Sequence, residues 1–153
     1  MEPKFVQKPA FTVVGMVHRG PMGNPDIPKL WGVFDRHVAD IPNIINPQVF
    51  YGAQDHFDEA AGEFDYLAAC ETPPGSRAPE GMQVWDVAAA NYAVFPTTLA
   101  TIHDSYHYIY GTWLPQSGYQ RASGVEFELY DESFNPDDPN STFYLYVPVV
   151  AQS

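Results

Sequence analysis

Two glutamates, Glu126 and Glu128, stand two residues apart in the strand-like stretch GVEFELYDESF at positions 124–134. Because side chains alternate along a β-strand, both acids share one face with Tyr130. The opposite face is apolar and holds Val125, Phe127 and Leu129. Two interpretations follow: a half-solvated antiparallel strand whose acids face water, or the wall of a pocket that carries a carboxylate. Composition alone favours the solvated strand.

Other residues that could bind a metal or react chemically form weaker patterns. His103 and His107 in HDSYH have the four-residue spacing of a helical zinc site, but a metalloprotease would need Glu at Asp104 and a third ligand. We therefore expect a surface pair and no metal. Cys70, a single cysteine in an apolar stretch, is expected to be a buried and inert thiol. Phosphate-binding glycine motifs are absent from the sequence, so no cofactor is expected.

Size and charge limit the function further. A chain of 153 residues predicts one domain over positions 1–153. The net charge of −12 is divided as −5 over positions 1–76 and −7 over positions 77–153. This charge repels nucleic acid phosphates and attracts cations or a basic protein surface. The sequence has neither a membrane-spanning apolar run nor a secretory signal, so we expect a cytoplasmic protein without direct nucleic acid or membrane partners.

The predicted elements occur twice in the same order. Apolar alternation and helical spacing predict a strand, a helix and two strands in the first half, at 11–20, 27–41, 49–54 and 63–71. A Pro- and Gly-rich loop follows at 72–81. The second half gives a strand, a helix and two strands at 82–95, 99–113, 125–131 and 142–150. The fold class is therefore α+β: two βαββ repeats, about 8–72 and about 82–151, in an antiparallel-rich sheet with both helices on one face.

Aligning the two repeats makes Glu128 asymmetric. The alignment places Gly52 opposite Glu128, and Tyr66 opposite Tyr144. The acid therefore occurs in one repeat only. A single off-axis ligand site would need this asymmetry, although sequence drift on a surface strand would also produce it.

Several motifs together resemble the GyrI-like effector-binding family. They are FTVVGMVHRGP, IPKLWGVF, NYAVFP, GTWLPQSGYQ, FELYD and the terminal TFYLYVPV, which together span nearly the whole chain. The resemblance implies a pseudo-twofold sheet with the helices behind it and a ligand groove on the other face. It also places the family's characteristic glutamate on Glu128. Family members occur as effector domains of AraC- and MerR-type multidrug regulators, as gyrase inhibitors, and as stand-alone proteins, some of which resemble hydrolases that open cyclopropane rings.

With the resemblance, Glu128 becomes the centre of a predicted ligand site. Aromatic rings around a carboxylate suit a flat, apolar cation, because ring faces and the acid both attract positive charge. The residues expected on the same side as Glu128 are Tyr66, Tyr130, Tyr144 and Tyr146, with Trp85 as a further candidate. Glu126 is predicted to be a solvated charge at the rim of this site. Trp31 and Trp113 are assigned to core packing.

The expected function is binding of aromatic or cationic small molecules, with hydrolysis of cyclopropane-type electrophiles as an extension. Burial would raise the pKa of Glu128, so that it could act as a general base while the Tyr144 hydroxyl positions the electrophile. The alternatives are an acidic interaction module such as a gyrase inhibitor, or a ligand-sensing subunit with a separate DNA-binding partner. A transcription factor acting alone is not expected, since the sequence shows no helix-turn-helix segment.

Overall fold

The computed structural model describes residues 2–152, which form nine β-strands and two helical segments. The strands are β1 (Lys4–Lys8), β2 (Phe11–Pro21), β3 (Phe50–Asp58), β4 (Glu63–Thr72), β5 (Gln83–Val87), β6 (Ala90–Thr97), β7 (Tyr119–Arg121), β8 (Glu126–Tyr130) and β9 (Phe143–Ala151). The helices are α1 (Asp26–His37), extended by a 3₁₀ turn, and α2 (Ile102–Tyr108), which continues through a π-helical turn (Ile109–Trp113) into the short α3 (Leu114–Gln116). Within residues 2–152, no helix is long and apolar enough to cross a membrane.

The strands form one antiparallel sheet with two equivalent halves. Its order is β1-β6-β9-β8-β3-β4-β2-β5, and β7 pairs with β9 beside this path. Reading outwards from the centre, β8, β9 and β6 mirror β3, β4 and β2. This is the order that a pseudo-twofold axis between β3 and β8 produces, so the predicted α+β fold of two βαββ repeats is confirmed.

One cross-strand pair lies at the centre of this arrangement. Gly52 of β3 faces Glu128 of β8, and we call these two residues the axis pair. The two residues occupy equivalent places in the two repeats, as the sequence alignment predicts. Their neighbours in the next strands outward are Ala68 and Leu145. Directly opposed residues in a sheet share a face, so all four side-chain positions lie on the same side.

Both helices cover that side of the sheet. Phe34 of α1 packs with Ala68 and Cys70, while Ile109 in the π-helical turn after α2 packs with Leu145. The opposite side holds a separate apolar cluster that includes Leu67, Tyr51, Tyr92 and Phe127. The two helices rest on the outer strands of each half, and this leaves the central strands between them less covered.

The structure differs from the predicted elements mainly where strands are short or bend. The predicted strand at 82–95 is in fact two strands. β5 pairs with β2 at one end of the sheet, whereas β6 pairs with β1 and β9 near the other end. The break falls at Ala88 and Ala89, whose small side chains add little packing to either half. Strands β1 and β7 were not predicted, since KFVQK is largely polar and YQR has only three residues.

Candidate functional site

A cavity of about 710 Å³ opens between the two helices and the central strands. Strands β3, β4 and β8 contribute residues from below, and α1 and α2 contribute residues from the sides. The strand residues include Phe50, Gln54, Phe64, Tyr66, Glu128 and Tyr130. The helix residues include Ile27, Trp31, Asp35, Ile102, His103 and Tyr106. The cavity is therefore mostly aromatic and apolar, with a few polar groups at its strand side.

Glu128 of β8 is a charged residue in the wall of this cavity, and only 5% of it is exposed. Its Oε1 accepts hydrogen bonds from Tyr66 Oη at 2.6 Å and from Tyr130 Oη at 2.7 Å. Its Oε2 accepts longer bonds from Gln54 Nε2 at 3.4 Å and Tyr106 Oη at 3.5 Å. Within residues 2–152, no cationic side chain pairs with Glu128. The hydrogen bonds to its carboxylate therefore come from neutral side chains.

The tyrosine donors are themselves held in place by α1. Trp31 Nε1 donates to Tyr66 Oη at 3.0 Å, which turns the Tyr66 hydroxyl proton towards Glu128. The Trp31 indole also packs edge-on against Tyr66, Tyr130 and Phe50, with ring centroids 5.6 to 6.4 Å apart. A tryptophan on the helix thus connects the cavity wall to the buried acid.

Gly52 provides the space for the bond between Tyr66 and Glu128. A Cβ atom at position 52 would lie 2.2 Å from Tyr66 Oη and 2.6 Å from Glu128 Oε1. Both distances are shorter than van der Waals contact, so any larger side chain would displace the acid or its donor. The axis pair therefore works as one unit, in which the missing side chain of one repeat accommodates the carboxylate of the other.

Burial dominates the ionisation of this group. Loss of hydration raises the pKa of Glu128, and the bonds from Tyr66 and Tyr130 only partly oppose this. Burial and the adjacent Glu128 carboxylate raise the pKa of both tyrosines well above their usual value. At neutral pH the tyrosines therefore remain hydrogen-bond donors, and the acid holds its proton to a higher pH than an exposed glutamate.

Glu126 lies on the same face as Glu128, but it has its own partners. It is 2% exposed, and its Oε1 accepts bonds from Arg121 Nε at 3.2 Å and from the Tyr110 hydroxyl. Arg121 also donates to the carbonyl oxygens of Ala122 and Gly124, which fixes the turn before β8. Burial raises the pKa of Glu126, while Tyr110 and Arg121 lower it. The predicted solvated rim charge is wrong, because Glu126 belongs to a buried ion pair.

Comparison with known proteins identifies the family. The family model described as "GyrI-like small molecule binding domain" matches residues 1–150. The chain belongs to the GyrI-like family. The resemblance found in the sequence motifs is therefore confirmed, and this GyrI-like domain is a small-molecule-binding domain.

Individual relatives agree with this assignment. The transcriptional regulator BrlR of Pseudomonas aeruginosa is 39% identical over 154 residues, which cover 97% of this chain and 56% of BrlR. The GyrI-like chain thus spans little more than half the length of this curated relative. Among solved structures, SAV2435 bound to tetraphenylphosphonium has a TM-score of 0.70 at 18% identity, covering 98% of this chain and 94% of SAV2435. The C-terminal domain of EcmrR has a TM-score of 0.72 at 13% identity, covering 99% and 98% of the two chains.

Of the predicted site residues, the structure brings Glu128, Tyr66 and Tyr130 together in the GyrI-like cavity. It does not bring Tyr144 and Tyr146 there, and the prediction that they share the face of Glu128 is wrong. Glu128 pairs with Leu145, and the two tyrosines flank that leucine, so they project from the opposite face. There they pack against the apolar cluster that contains Phe127.

The error comes from a one-residue slip in the alignment of the repeats. Ala68 and Leu145 are the neighbours of the axis pair in β4 and β9. Two residues before them lie Tyr66 and Phe143, which are therefore the equivalent positions. Matching Tyr66 with Tyr144 shifted β9 by one residue, and such a shift moves every side chain to the other face. As a consequence, the Tyr144 hydroxyl cannot position an electrophile beside Glu128.

Trp85 and the expected groove are the remaining corrections. Trp85 faces Val13 across β5 and β2 and belongs to the apolar cluster on the side opposite the helices. That side is packed with aromatic and aliphatic side chains. The cavity lies between the helices instead, so the prediction of a groove on the other face is wrong.

Three cavity residues were missed by the sequence analysis. Trp31 was assigned to packing because it lies on the apolar stripe of its helix, but it lines the cavity and bonds Tyr66. Tyr106 lies at core spacing on the helix predicted at 99–113, so the sequence carries no separate signal for it. Gln54 carried a usable signal, because it is a polar residue two positions after Gly52, in the buried part of β3.

The histidine pair and the cysteine lie as predicted. His103 and His107 are exposed, and His103 lines the outer part of the cavity. Cys70 is buried, and burial raises the pKa of its thiol to about 12. Among residues 2–152, no group of three or more His, Cys, Asp or Glu side chains has a metal-binding arrangement.

We expect Gly52→Ala to lower the free energy of unfolding by about 2 kcal/mol, because the new methyl group breaks a hydrogen bond to a buried carboxylate. Gly32→Ala is the matched control. Gly32 is an exposed residue of α1 with open space around its Cβ position, so alanine there should stabilise the helix by up to about 1 kcal/mol. Chemical denaturation of both variants measures the difference. Equal stability of Gly52→Ala and the native chain would contradict the space argument.

Proposed function

We propose that this GyrI-like domain binds aromatic organic cations in the cavity between its helices, with Glu128 as the counter-charge. The observation that carries the proposal is the burial of a carboxylate among neutral donors in an aromatic cavity. An isolated buried charge is unfavourable, and an incoming cation would neutralise it in a site from which water is largely excluded. A cation would therefore gain more binding free energy at this buried acid than at an exposed one.

The cavity walls suit the rest of such a ligand. Trp31, Phe50, Tyr106 and Tyr130 offer ring surfaces to an apolar cation, which attract positive charge through their quadrupoles. Asp35, Asp131 and Glu132 also line the cavity, and the net charge of the chain is −12. Negative potential of this kind raises the local concentration of cations and excludes anions. The structural relative SAV2435 is described with tetraphenylphosphonium bound, and this ligand belongs to the same chemical class.

The biological role we infer is ligand sensing or sequestration. BrlR, which is a transcriptional regulator, contains a region similar to this chain together with a further part that the comparison does not cover. Sensing on behalf of a separate DNA-binding partner fits that relationship. Docking on gyrase as an acidic inhibitor stays a prediction from the sequence.

Replacing Glu128 by Gln should weaken tetraphenylphosphonium binding by at least about 30-fold, because a close charge pair contributes about 2 kcal/mol or more. The variant should fold, since Gln keeps the shape and one acceptor while removing a buried charge. Isothermal titration calorimetry measures the affinity. Glu132→Gln is the control, since Glu132 lines the same cavity but is exposed, and we expect an effect below about 3-fold there. Unchanged affinity in Glu128→Gln would remove the acid from the site.

Cation binding should strengthen as pH rises. Burial raises the pKa of Glu128, whereas a bound permanent cation favours the ionised carboxyl, so binding releases a proton. Affinity should therefore rise by up to about tenfold per pH unit below the raised pKa and become constant above it. Calorimetric titrations with tetraphenylphosphonium from acidic to neutral pH measure how the affinity changes. Repeating them in buffers of different ionisation enthalpy measures the proton that binding releases. The profile should be flat in Glu128→Gln, and an equally steep slope there would assign the proton to another group.

Hydrolysis is the second candidate function, favoured by the raised pKa of Glu128 beside two tyrosine hydroxyls. Glu128 would take a proton from water as the water oxygen bonds to a strained ring carbon. The ring carbon–carbon bond would break, its electron pair would pass to the activating carbonyl group, and a tyrosine hydroxyl would protonate that carbonyl oxygen, later recovering its proton from Glu128. Product formation from an activated spirocyclopropane, followed by mass spectrometry, should then fall by about 10²- to 10⁴-fold in Glu128→Gln. A native rate equal to that in buffer would reject catalysis and leave binding intact.

A further inference from the structure

Gln54 occupies an unusual position beside the buried acid. It lies on β3 two residues after Gly52, is 2% exposed, and lines the cavity. Its side-chain nitrogen donates to Tyr106 Oη at 3.1 Å and to Glu128 Oε2 at 3.4 Å. Both amide protons are therefore directed towards groups that already belong to the site.

The amide oxygen of the same side chain has no partner. Among the residues that the structure describes, nothing donates a hydrogen bond to Gln54 Oε1, although the atom is buried. Rotating the amide by half a turn would place Oε1 3.1 Å from the Tyr106 hydroxyl but also 3.4 Å from Glu128 Oε2, where two acceptors repel each other as long as the acid is ionised. The ionised acid thus fixes the amide with its oxygen unsatisfied. Buried acceptors without a donor are rare and unfavourable, so this one needs a physical explanation.

The unsatisfied oxygen lies close to Glu128, but other atoms cover it, so a ligand group reaches both oxygens once the Gln54 side chain turns towards the cavity. The amide oxygen and nitrogen share one carbon at bond lengths of about 1.23 and 1.33 Å. Since Gln54 Nε2 is 3.4 Å from Glu128 Oε2, the two oxygens are at most about 6 Å apart. An ammonium or amidinium group that donates two hydrogen bonds of about 2.9 Å between heavy atoms reaches acceptors about 5 Å apart, which is within that upper limit.

We propose that Gln54 makes this site selective for cations that carry an N–H bond, namely protonated amines and amidinium groups, over quaternary onium ions of the same shape. The charge of the ligand pairs with Glu128, and its N–H donates to Gln54 Oε1. A quaternary ion satisfies only the first interaction and leaves the amide oxygen unpaired. Sites built around a buried hydrogen-bonding group discriminate strongly against ligands that lack the matching group. The selectivity rests on the cation-binding function proposed above.

The test compares two ligands that share one ring system and one positive charge but differ in their N–H bonds. Protonated naphthylmethylamine has three N–H bonds, enough to donate to both Glu128 and Gln54, whereas trimethyl(naphthylmethyl)ammonium has none, and both carry one positive charge at neutral pH. We expect the native chain to bind the amine at least about 10-fold more tightly, which corresponds to one good hydrogen bond. In Gln54→Met, which keeps the volume but has no acceptor, the ratio should fall towards one while the quaternary ion still binds.

Gln48→Met is the matched control, because Gln48 lines the same cavity but is exposed, and it should leave the native ratio unchanged. The two ions differ in hydration free energy, but this difference is the same for every variant. It therefore cancels when the affinity ratios of the variants are compared. A native ratio near one overturns the selectivity even if Gln54→Met does not fold. An unchanged ratio in a folded Gln54→Met also overturns it.

The two proposals fail in different ways. If both ions bind equally and depend on Glu128, then cation binding stands and the role of Gln54 is wrong. If neither ion binds the native chain, and tetraphenylphosphonium does not bind either, then the cation site itself is wrong and the selectivity falls with it.

Discussion

The carboxylate of Glu128 is almost fully buried, and among residues 2–152 only neutral side chains donate hydrogen bonds to it; most features of the site follow from this constraint. Two tyrosine hydroxyls converge on one oxygen, and a glutamine and a third tyrosine approach the other. These bonds reduce the cost of burial but do not remove it, as the raised pKa shows. Because the folded chain binds this proton more tightly than the unfolded chain, the stability that the group contributes is greatest at low pH and is lost as pH rises through the raised pKa. The cation proposed as ligand would offset that loss where the acid is ionised.

The duplicated fold explains how a single charge comes to lie at the centre of a symmetric sheet. The axis pair places Gly52 and Glu128 directly opposite each other on neighbouring strands. Two glutamates at these positions would bring two carboxylates within about 5.5 Å, where like charges repel in a medium of low dielectric constant. Glycine avoids the second charge and also leaves the volume in which Tyr66 meets Glu128. The difference between the two repeats at this position therefore gives one site at the axis instead of two equivalent ones.

The sequence predicted what depends on local periodicity and failed where the answer depends on long-range register. Alternation along β8 correctly placed Glu128 and Tyr130 on one face, because neighbours two residues apart in a strand must share a side. The face of Tyr144 depends on how β9 pairs with β8 across a 12-residue connection (131–142), and no local pattern fixes that pairing to within one residue. The assignment of Trp31 to core packing was wrong for a different reason. An apolar stripe on a helix predicts burial, but it does not distinguish a packed core from the wall of a cavity between two helices.

The position of the cavity on the helix side has a mechanical consequence for ligand sensing. Tyr106 of α2 bonds Glu128 directly, and Trp31 of α1 bonds it through Tyr66, so both helices are linked to the same carboxylate. A cation that pairs with Glu128 competes with these donors for the carboxylate oxygens and packs against the same Trp31 and Tyr106 side chains. The occupied and empty cavities therefore differ in their contacts with both helices, and a difference of this kind is what a ligand needs in order to shift a conformational equilibrium. A groove on the far side of the sheet, packed by the apolar cluster around Phe127, would have no comparable link to either helix.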